Sequence, residues 1–245
     1  MKLAGFPLFV ADDDQLLQEI DTLVISGHRS LIVTANVDQA IDLGRNVDLW
    51  NAYKDASIRT LDGMPLVWIS RLLGARGVNR QTGADLLTKC VFASFERGWK
   101  IAIVGGEPPV NAAAVEKLRS DYPLADIVGI DIPYSQNFQT AEMQNVLNEL
   151  SDAEPDVVFI CLGSPKQERF VMELRSQLPP AVYVGAGAAV DFAAGVRRRA
   201  PRLVQLAGLE WTWRLLQEPR RLGHRYLIKG SGIGKILQNS ISRKR

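Results

Sequence analysis

The sequence predicts an α/β protein: a doubly wound, mainly parallel sheet with a basic helical appendage at its carboxyl end. Three observations predict it. Strand-like and helix-like patterns alternate over the first 185 residues, which implies parallel pairing through helical crossovers. Several strand-like runs end in Gly-containing loops that lead directly into helices. The charge then changes sign. Residues 197–245 hold 13 Lys and Arg against two acids, Glu210 and Glu218, about +11, whereas the first 196 residues hold 16 bases against 25 acids, about −9.

The elements follow in order. Residues 12–26 form a helix, with Leu16, Leu17, Ile20, Leu23 and Val24 on one face and aspartates at its start. SLIVT, 30–34, is a buried strand. Residues 37–54 read as one helix, with Ile41 and Leu49 among its apolar positions. A short strand over 58–61 ends in Asp62-Gly63. Helices follow over 66–73 and 83–97. A strand over 100–104 closes with Gly105-Gly106 and feeds a helix over 108–120. Strands over 126–130 and 156–162 enclose a helix over 140–150. A helix over 165–177 and a strand over 182–184 complete a Rossmann-like sheet. The expected division is an α/β body over 1–196 and an amphipathic appendage over 197–245. Ligands of such sheets sit at the carboxyl ends of the strands. The loops that matter are therefore 34–36, 62–63, 105–106, 163–168 and 185–191.

A chain of 245 residues, 47% of them apolar, is globular rather than disordered. MKLAGFPLFVADDD has too short an apolar run for a signal peptide or a membrane span. No later run of about 18 uninterrupted apolar residues follows, so the expected location is the cytosol. Cys90 and Cys161 sit in apolar surroundings and read as buried thiols of a reducing compartment. His28 and His224 are far apart and no Cys/His cluster has metal spacing. A Walker loop and a G-x-S-x-G elbow are both absent. No metal site and no cofactor are expected, with Mg²⁺ accompanying a nucleotide left open.

Each loop carries two readings. Gly105-Gly106 is either a pyrophosphate-accepting turn at a helix N-terminus or a tight turn. Gly185-Ala186-Gly187 is a second such loop, but it lacks the third glycine of a dinucleotide fingerprint. In Gly163-Ser164-Pro165-Lys166-Gln167-Glu168, Gln167 and Glu168 face the cleft, or Glu168 compensates the helix dipole. Thr34 and Asn36 line the cleft, or Asn36 caps the next helix. Asp62-Gly63 alone is an ordinary turn dipeptide. Arg80 offers a planar, permanently charged fork to phosphate or carboxylate, or a surface ion pair. Asp191 follows the Gly-rich loop.

The appendage begins with a stretch over 203–217 that is apolar nearly all round. Leu206, Leu209, Trp213 and Leu216 lie on one helical face, and Val204, Trp211 and Leu215 on the other. Beyond it, Arg221, Arg225 and Lys229 recur every four residues beside Tyr226, Leu227 and Ile228. Arg214, Arg221 and Arg225 interleaved with aromatic and aliphatic residues fit an interfacial membrane element. An anionic membrane surface is the expected partner. Nucleic acid is not, since no recognisable reader module is present.

The motifs Gly185 to Gly187, Asp191-Phe192, Ala194-Gly195, Arg199-Ala200-Pro201, Gly208-Leu209-Glu210-Trp211 and Pro219-Arg220-Arg221 occur in one order. Together they resemble the signature of the bacterial WecG/TagA/CpsF glycosyltransferases. The resemblance runs from Thr34 to Arg225 and includes LDGMP around Asp62, Arg80 before Thr82-Gly83, and Pro165 to Glu168. Ala35 stands where the family pattern Thr-Pro-Asn has proline. The resemblance implies an inverting glycosyltransferase of surface polysaccharide synthesis. Its donor would be a nucleotide-diphosphate sugar, usually UDP-linked, and its acceptor a saccharide on polyprenyl pyrophosphate. It further implies a protein peripheral on the inner face of the cell membrane. Asp62 would be the catalytic base. Thr34, Asn36, Arg80, Gly105, Gly106, Gly163, Gln167, Glu168, Gly185, Gly187 and Asp191 would bind substrate. Arg214, Arg221 and Arg225 would meet membrane or lipid acceptor. A homo-oligomer is left open. The rival readings are a nucleotide-dependent oxidoreductase or epimerase, and a non-catalytic membrane-attached binding protein.

Overall fold

A computed structural model of the chain describes residues 2–133, 137–201, 204 and 209–217. Six strands form one parallel sheet: β3 (Ser30–Ala35), β4 (Ile58–Leu61), β5 (Lys100–Val104), β6 (Asp126–Ile130), β7 (Val157–Ile160) and β8 (Val182–Gly185). Their spatial order is β4-β3-β8-β7-β5-β6. All six expected strands are present. The inner four are buried on both faces, as their unbroken apolar runs require.

Alternate residues serve alternate faces. Leu31, Val33, Val104, Ile160 and Tyr183 enter one core. That core also takes residues of α2 (Val37–Asp42), α3 (Val47–Asp55), α4 (Met64–Leu72), α7 (Ala141–Ala153) and α8 (Lys166–Leu174). Ile32, Ile103, Phe159 and Val184 enter the other. There they meet α1 (Asp13–Ile25), α5 (Gly83–Arg97), α6 (Pro108–Asp121) and α9 (Ala189–Ala193). The sheet is thus doubly wound. Cys90, on α5, and Cys161, just after β7, are free and buried in this second core. Burial pushes the Cys161 thiol up to about 12.

Two helical expectations need correction. Residues 37–54 are two helices, α2 and α3. The break falls where Gly44 is exposed and Asn46 starts a new cap, its side chain accepting from the Leu49 N–H at 2.9 Å. The stretch over 203–217 is likewise not one described helix. Leu209 lies outside the helical run and its carbonyl opens α10 (Glu210–Gln217), accepting from the Thr212 and Trp213 N–H groups. Residues 202, 203 and 205–208 lie outside the described residues.

The sequence reading also misses a hairpin, β1 (Lys2–Leu3) with β2 (Phe6–Pro7). Its two-residue turn uses Ala4 at φ 49° and Gly5 at φ 93°, the doubly positive geometry that usually takes Asn-Gly.

The crevice follows from topology. β3 continues to its outer neighbour β4, whereas β8 continues into α9, which packs on α5 and α6. Adjacent strands whose chains depart in opposite directions leave a gap at their carboxyl ends.

Candidate functional site

Three loops meet at that gap through one hydrogen-bond network. The Thr34 hydroxyl donates to the Gly185 carbonyl at 2.9 Å, joining the ends of β3 and β8. Asn36 caps α2 and exchanges hydrogen bonds with Gln39: each backbone N–H donates to the other side chain at 3.0 Å. The Gln39 amide then donates to Glu168 Oε1 at 2.9 Å. Gln167 donates to the same oxygen at 3.0 Å. The Gly187 N–H donates to Gln167 Oε1 at 2.9 Å. Tyr53 donates its hydroxyl to Gln39 Oε1 at 3.3 Å.

Gln167 reaches this position because Gly185 lacks a Cβ, which would stand 2.6 Å from Gln167 Nε2. Gly187 and Gly163 are different. Both have left-handed backbones, φ 57° and 73°, and a Cβ on either would meet nothing within 4 Å. These two border open space. Gly105 and Gly106 are packed, their missing Cβ positions filled by Leu162 Cδ2 at 2.9 Å and Val190 Cγ1 at 2.8 Å. Asp191, on α9, pairs with Arg197 at 3.0 Å.

Glu168 is fully buried, behind the loops rather than on the open cleft. Burial raises its pKa against the opposing pull of hydrogen bonds from Gln167, Ser164 and Gln39. Tyr53, also buried, is pushed well above the ordinary 10.0 by burial, then by the neighbouring acidic groups of Glu168 and Asp62, which oppose a phenolate there.

Asp62 stands at the tip of β4, half-buried, its N–H donating to the Ala35 carbonyl at 2.7 Å. Beside it runs a second layer of charge. The backbone of Arg80 bridges Leu61 in parallel, and the Gln81 N–H donates to the Leu61 carbonyl at 2.8 Å. Arg80 is therefore fixed against the end of β4. Its guanidinium pairs with Glu210 at 2.5 Å and Asp85 at 3.5 Å. Asp85 also pairs with Arg199 and accepts from the Thr82 hydroxyl at 2.8 Å. Burial works to raise the Asp85 pKa, but Arg199, Thr82 and Arg80 outweigh it and hold the carboxyl below its ordinary value. The charges of Asp85, Glu210 and Asp62 all act on Arg199.

The structure thus gathers Thr34, Asn36, Gln167, Glu168, Gly185 and Gly187 into one network, with Asp62 and Arg80 on its flank. Gln39, Tyr53, Asp85, Arg199 and Glu210 belong to the same constellation, and the sequence reading assigns them no site role. Two had a local signal: Asn36 and Gln39, like Thr82 and Asp85, are spaced as caps with their third helical residue. Arg214 lies on α10, and Arg221 and Arg225 lie outside the described residues. Leu209 and Leu216 are 43% and 79% exposed, so the start of the appendage shows apolar surface. Among the described residues no group of three or more His, Cys, Asp or Glu could hold a metal ion, and no helix is long and apolar enough to cross a membrane. An open depression of about 500 Å³ beside His28, Arg29 and Arg175 contains none of the site residues of this network. Compared with known protein families, residues 1–245 match the model described as the glycosyl transferase WecG/TagA/CpsF family.

Proposed function

The chain belongs to the WecG/TagA/CpsF family of glycosyltransferases, and from that premise we propose that it moves a sugar from a UDP-linked donor to a saccharide on polyprenyl pyrophosphate, with inversion at the anomeric carbon. The family carries glycosyl transfer in polysaccharide synthesis. The observation that supports the finer reading is one of placement. A half-buried carboxylate, Asp62, stands beside a fixed arginine, Arg80, while the open glycines Gly163 and Gly187 follow β7 and β8 of the same parallel sheet.

In this reading Asp62 accepts the proton of the acceptor hydroxyl. The hydroxyl oxygen forms the new bond to the anomeric carbon as the old bond to phosphate breaks, and UDP departs with that electron pair. Backbone N–H groups around Gly163 and Gly187 receive the diphosphate, with Arg80 or a tail arginine answering its charge. Arg80 is already paired, so the diphosphate competes with Glu210 and Asp85 for it. Thr34, Asn36 and Gln167 hold the walls in place. The close packing at Gly105, Gly106 and Gly185 keeps the strand ends near the donor, and Asp191 helps to hold the nucleotide. The appendage, with Arg214, Arg221 and Arg225, rests on the inner face of the membrane and presents the lipid acceptor.

A panel of nucleotide sugars assayed with a lipid-pyrophosphate saccharide tests the proposal. Transfer from a UDP sugar, with an inverted product, is the expected result. Binding of a nicotinamide dinucleotide without transfer would favour an oxidoreductase or epimerase. Donor binding without turnover would favour a binding protein.

A further inference from the structure

Glu168 has an unusual set of partners for a carboxyl group with no exposure to solvent. Its Oε1 accepts two amide N–H groups, from Gln39 and Gln167, at 2.9 and 3.0 Å. Its Oε2 is buried and makes no hydrogen bond of ordinary geometry. Besides the two amides only its own backbone N–H and the Ser164 side chain act on this carboxyl, so a full negative charge would be poorly compensated in the core, a costly arrangement. A carboxylic acid fits better: the carbonyl oxygen takes the two side-chain amides, and the O–H lies on the oxygen that neither glutamine reaches. The Ser164 hydroxyl is the neighbouring group on hand.

The two glutamines face away from Glu168 at their other ends. Gln39 Oε1 accepts from the Asn36 N–H, and Gln167 Oε1 accepts from the Gly187 N–H. Turning either amide over would set its NH₂ group against a backbone N–H. The acceptor at Glu168 therefore decides which way both amides point. Asn36 sits on the turn whose preceding carbonyl, Ala35, holds the Asp62 N–H. Gly187 sits on the loop that borders open space.

We infer that Glu168 is a positioning residue of this site, a carboxylic acid that orients the Gln39 and Gln167 amides and through them fixes the Asn36 and Gly187 backbones on either side of the crevice. It touches neither substrate nor reacting atoms. Its burial and the upward displacement of its pKa agree with the neutral form. Only the turnover arm of the test rests on the proposed function.

The test compares the full-length protein with Glu168→Gln and Glu168→Leu. Glutamine copies a carboxylic acid: a carbonyl for the two amides, and NH₂ in place of O–H. Leucine keeps most of the volume and removes both. Difference infrared spectroscopy should show a protonated-carboxyl carbonyl band in the wild type that Glu168→Gln lacks. Amide exchange at Asn36 and Gly187 should stay within about twofold of wild type in Glu168→Gln and rise on the order of tenfold or more in Glu168→Leu, because a hydrogen-bonded loop then opens locally. In a glycosyl-transfer assay kcat should hold within about threefold for Glu168→Gln and fall roughly 10- to 100-fold for Glu168→Leu, with a smaller change in KM, the signature of misplacement. The inference fails if the wild type lacks the protonated-carboxyl band, if Glu168→Gln loses as much as Glu168→Leu, or if Glu168→Leu keeps the Gly187 amide protected. Should Glu168→Leu not fold, the infrared band and the Glu168→Gln exchange rates decide alone. Should no donor turn over, those same two readouts still decide, and only the proposed function falls.

Discussion

Arg80 and Glu210, separated by 130 residues, form a 2.5 Å ion pair with side chains only 14% and 11% exposed. It ties α10 to the backbone that runs beside Asp62. Arg199, paired with Asp85, makes a second tie a few residues earlier. The first described part of the appendage is thus fastened to the body by charge at the proposed catalytic edge. A pair this sheltered is costly to break from one side, since the remaining charge stays buried.

A double-mutant cycle on Arg80→Met and Glu210→Gln measures that tie. Each single change should destabilise the fold by more than half of the double change, with a coupling on the order of 1–3 kcal/mol by denaturant unfolding. Additive effects would show that the pair contributes nothing to holding α10.

UDP should stabilise the folded protein. With ligand at about a hundredfold excess over Kd the gain is roughly 2.7 kcal/mol, read as a higher melting temperature. No melting shift and no calorimetric heat with UDP, alongside a response to NAD, would turn the reading towards an oxidoreductase.

Asp62→Asn should leave the fold and UDP affinity nearly intact and reduce turnover by roughly 10²- to 10⁴-fold, the usual size of a general-base contribution. Asparagine keeps the backbone N–H that donates to the Ala35 carbonyl, so the turn survives. Near-normal turnover would recast Asp62 as a turn residue.

Glu168 gives stability a definite pH dependence. Its folded pKa is raised from an ordinary 4.5 by burial, so folding takes up a proton above that ordinary value. The stabilisation is complete below about pH 4.5 and is lost as pH rises through the folded pKa. The limiting slope is about 1.4 kcal/mol per pH unit. Tyr53 and Asp62 interact in the same region, and Asp85, with its lowered pKa, works in the opposite sense and loses stability as pH falls. Subtracting the Glu168→Gln stability curve from the wild-type curve isolates the Glu168 contribution. A flat difference would mean that Glu168 is already charged in the folded protein.

The framework of this molecule was legible because parallel strands buried on both faces are written as unbroken apolar runs: SLIVT, KIAIV and VVFI need no partner to be recognised. Topology then points to the carboxyl-end loops, and Thr34, Asn36, Gln167 and Gly187 do meet there. Long-range pairing was not legible. Nothing local marks Arg199 as the partner of Asp85, 114 residues earlier. Gln39 carries a capping signal three residues after Asn36, but nothing local marks it as the partner of Glu168, 129 residues later. Glu168 reads in the sequence as a cleft-facing, substrate-binding acid or as a dipole-compensating one, and only the packing of Gln39 and Gln167 around it reveals a buried hub.

The appendage should bind anionic membrane. Its charge is about +11 from 13 bases and two acids, against about −9 for residues 1–196. Charge alone would suit any polyanion. The apolar surface is what favours a bilayer: Leu216 is 79% exposed and Leu209 43%, where a tail that binds by charge alone would gain nothing from them. Each basic residue near an anionic leaflet contributes on the order of 1 kcal/mol. Replacing Arg214, Arg221 and Arg225 together by Glu reverses three such contributions, so attraction becomes repulsion. All three follow the last strand of the sheet, Val182–Gly185, in the chain, and the variant should melt close to wild type. It should fail to co-sediment with vesicles containing anionic lipid, while wild type pelleted with neutral vesicles should also stay largely in solution. Transfer to a lipid-linked acceptor should fall more than UDP affinity does, because only the acceptor arrives through the membrane. Equal pelleting of both proteins, or wild-type binding indifferent to lipid charge, would remove the membrane role and leave the basic segment as a surface for another protein or a nucleic acid.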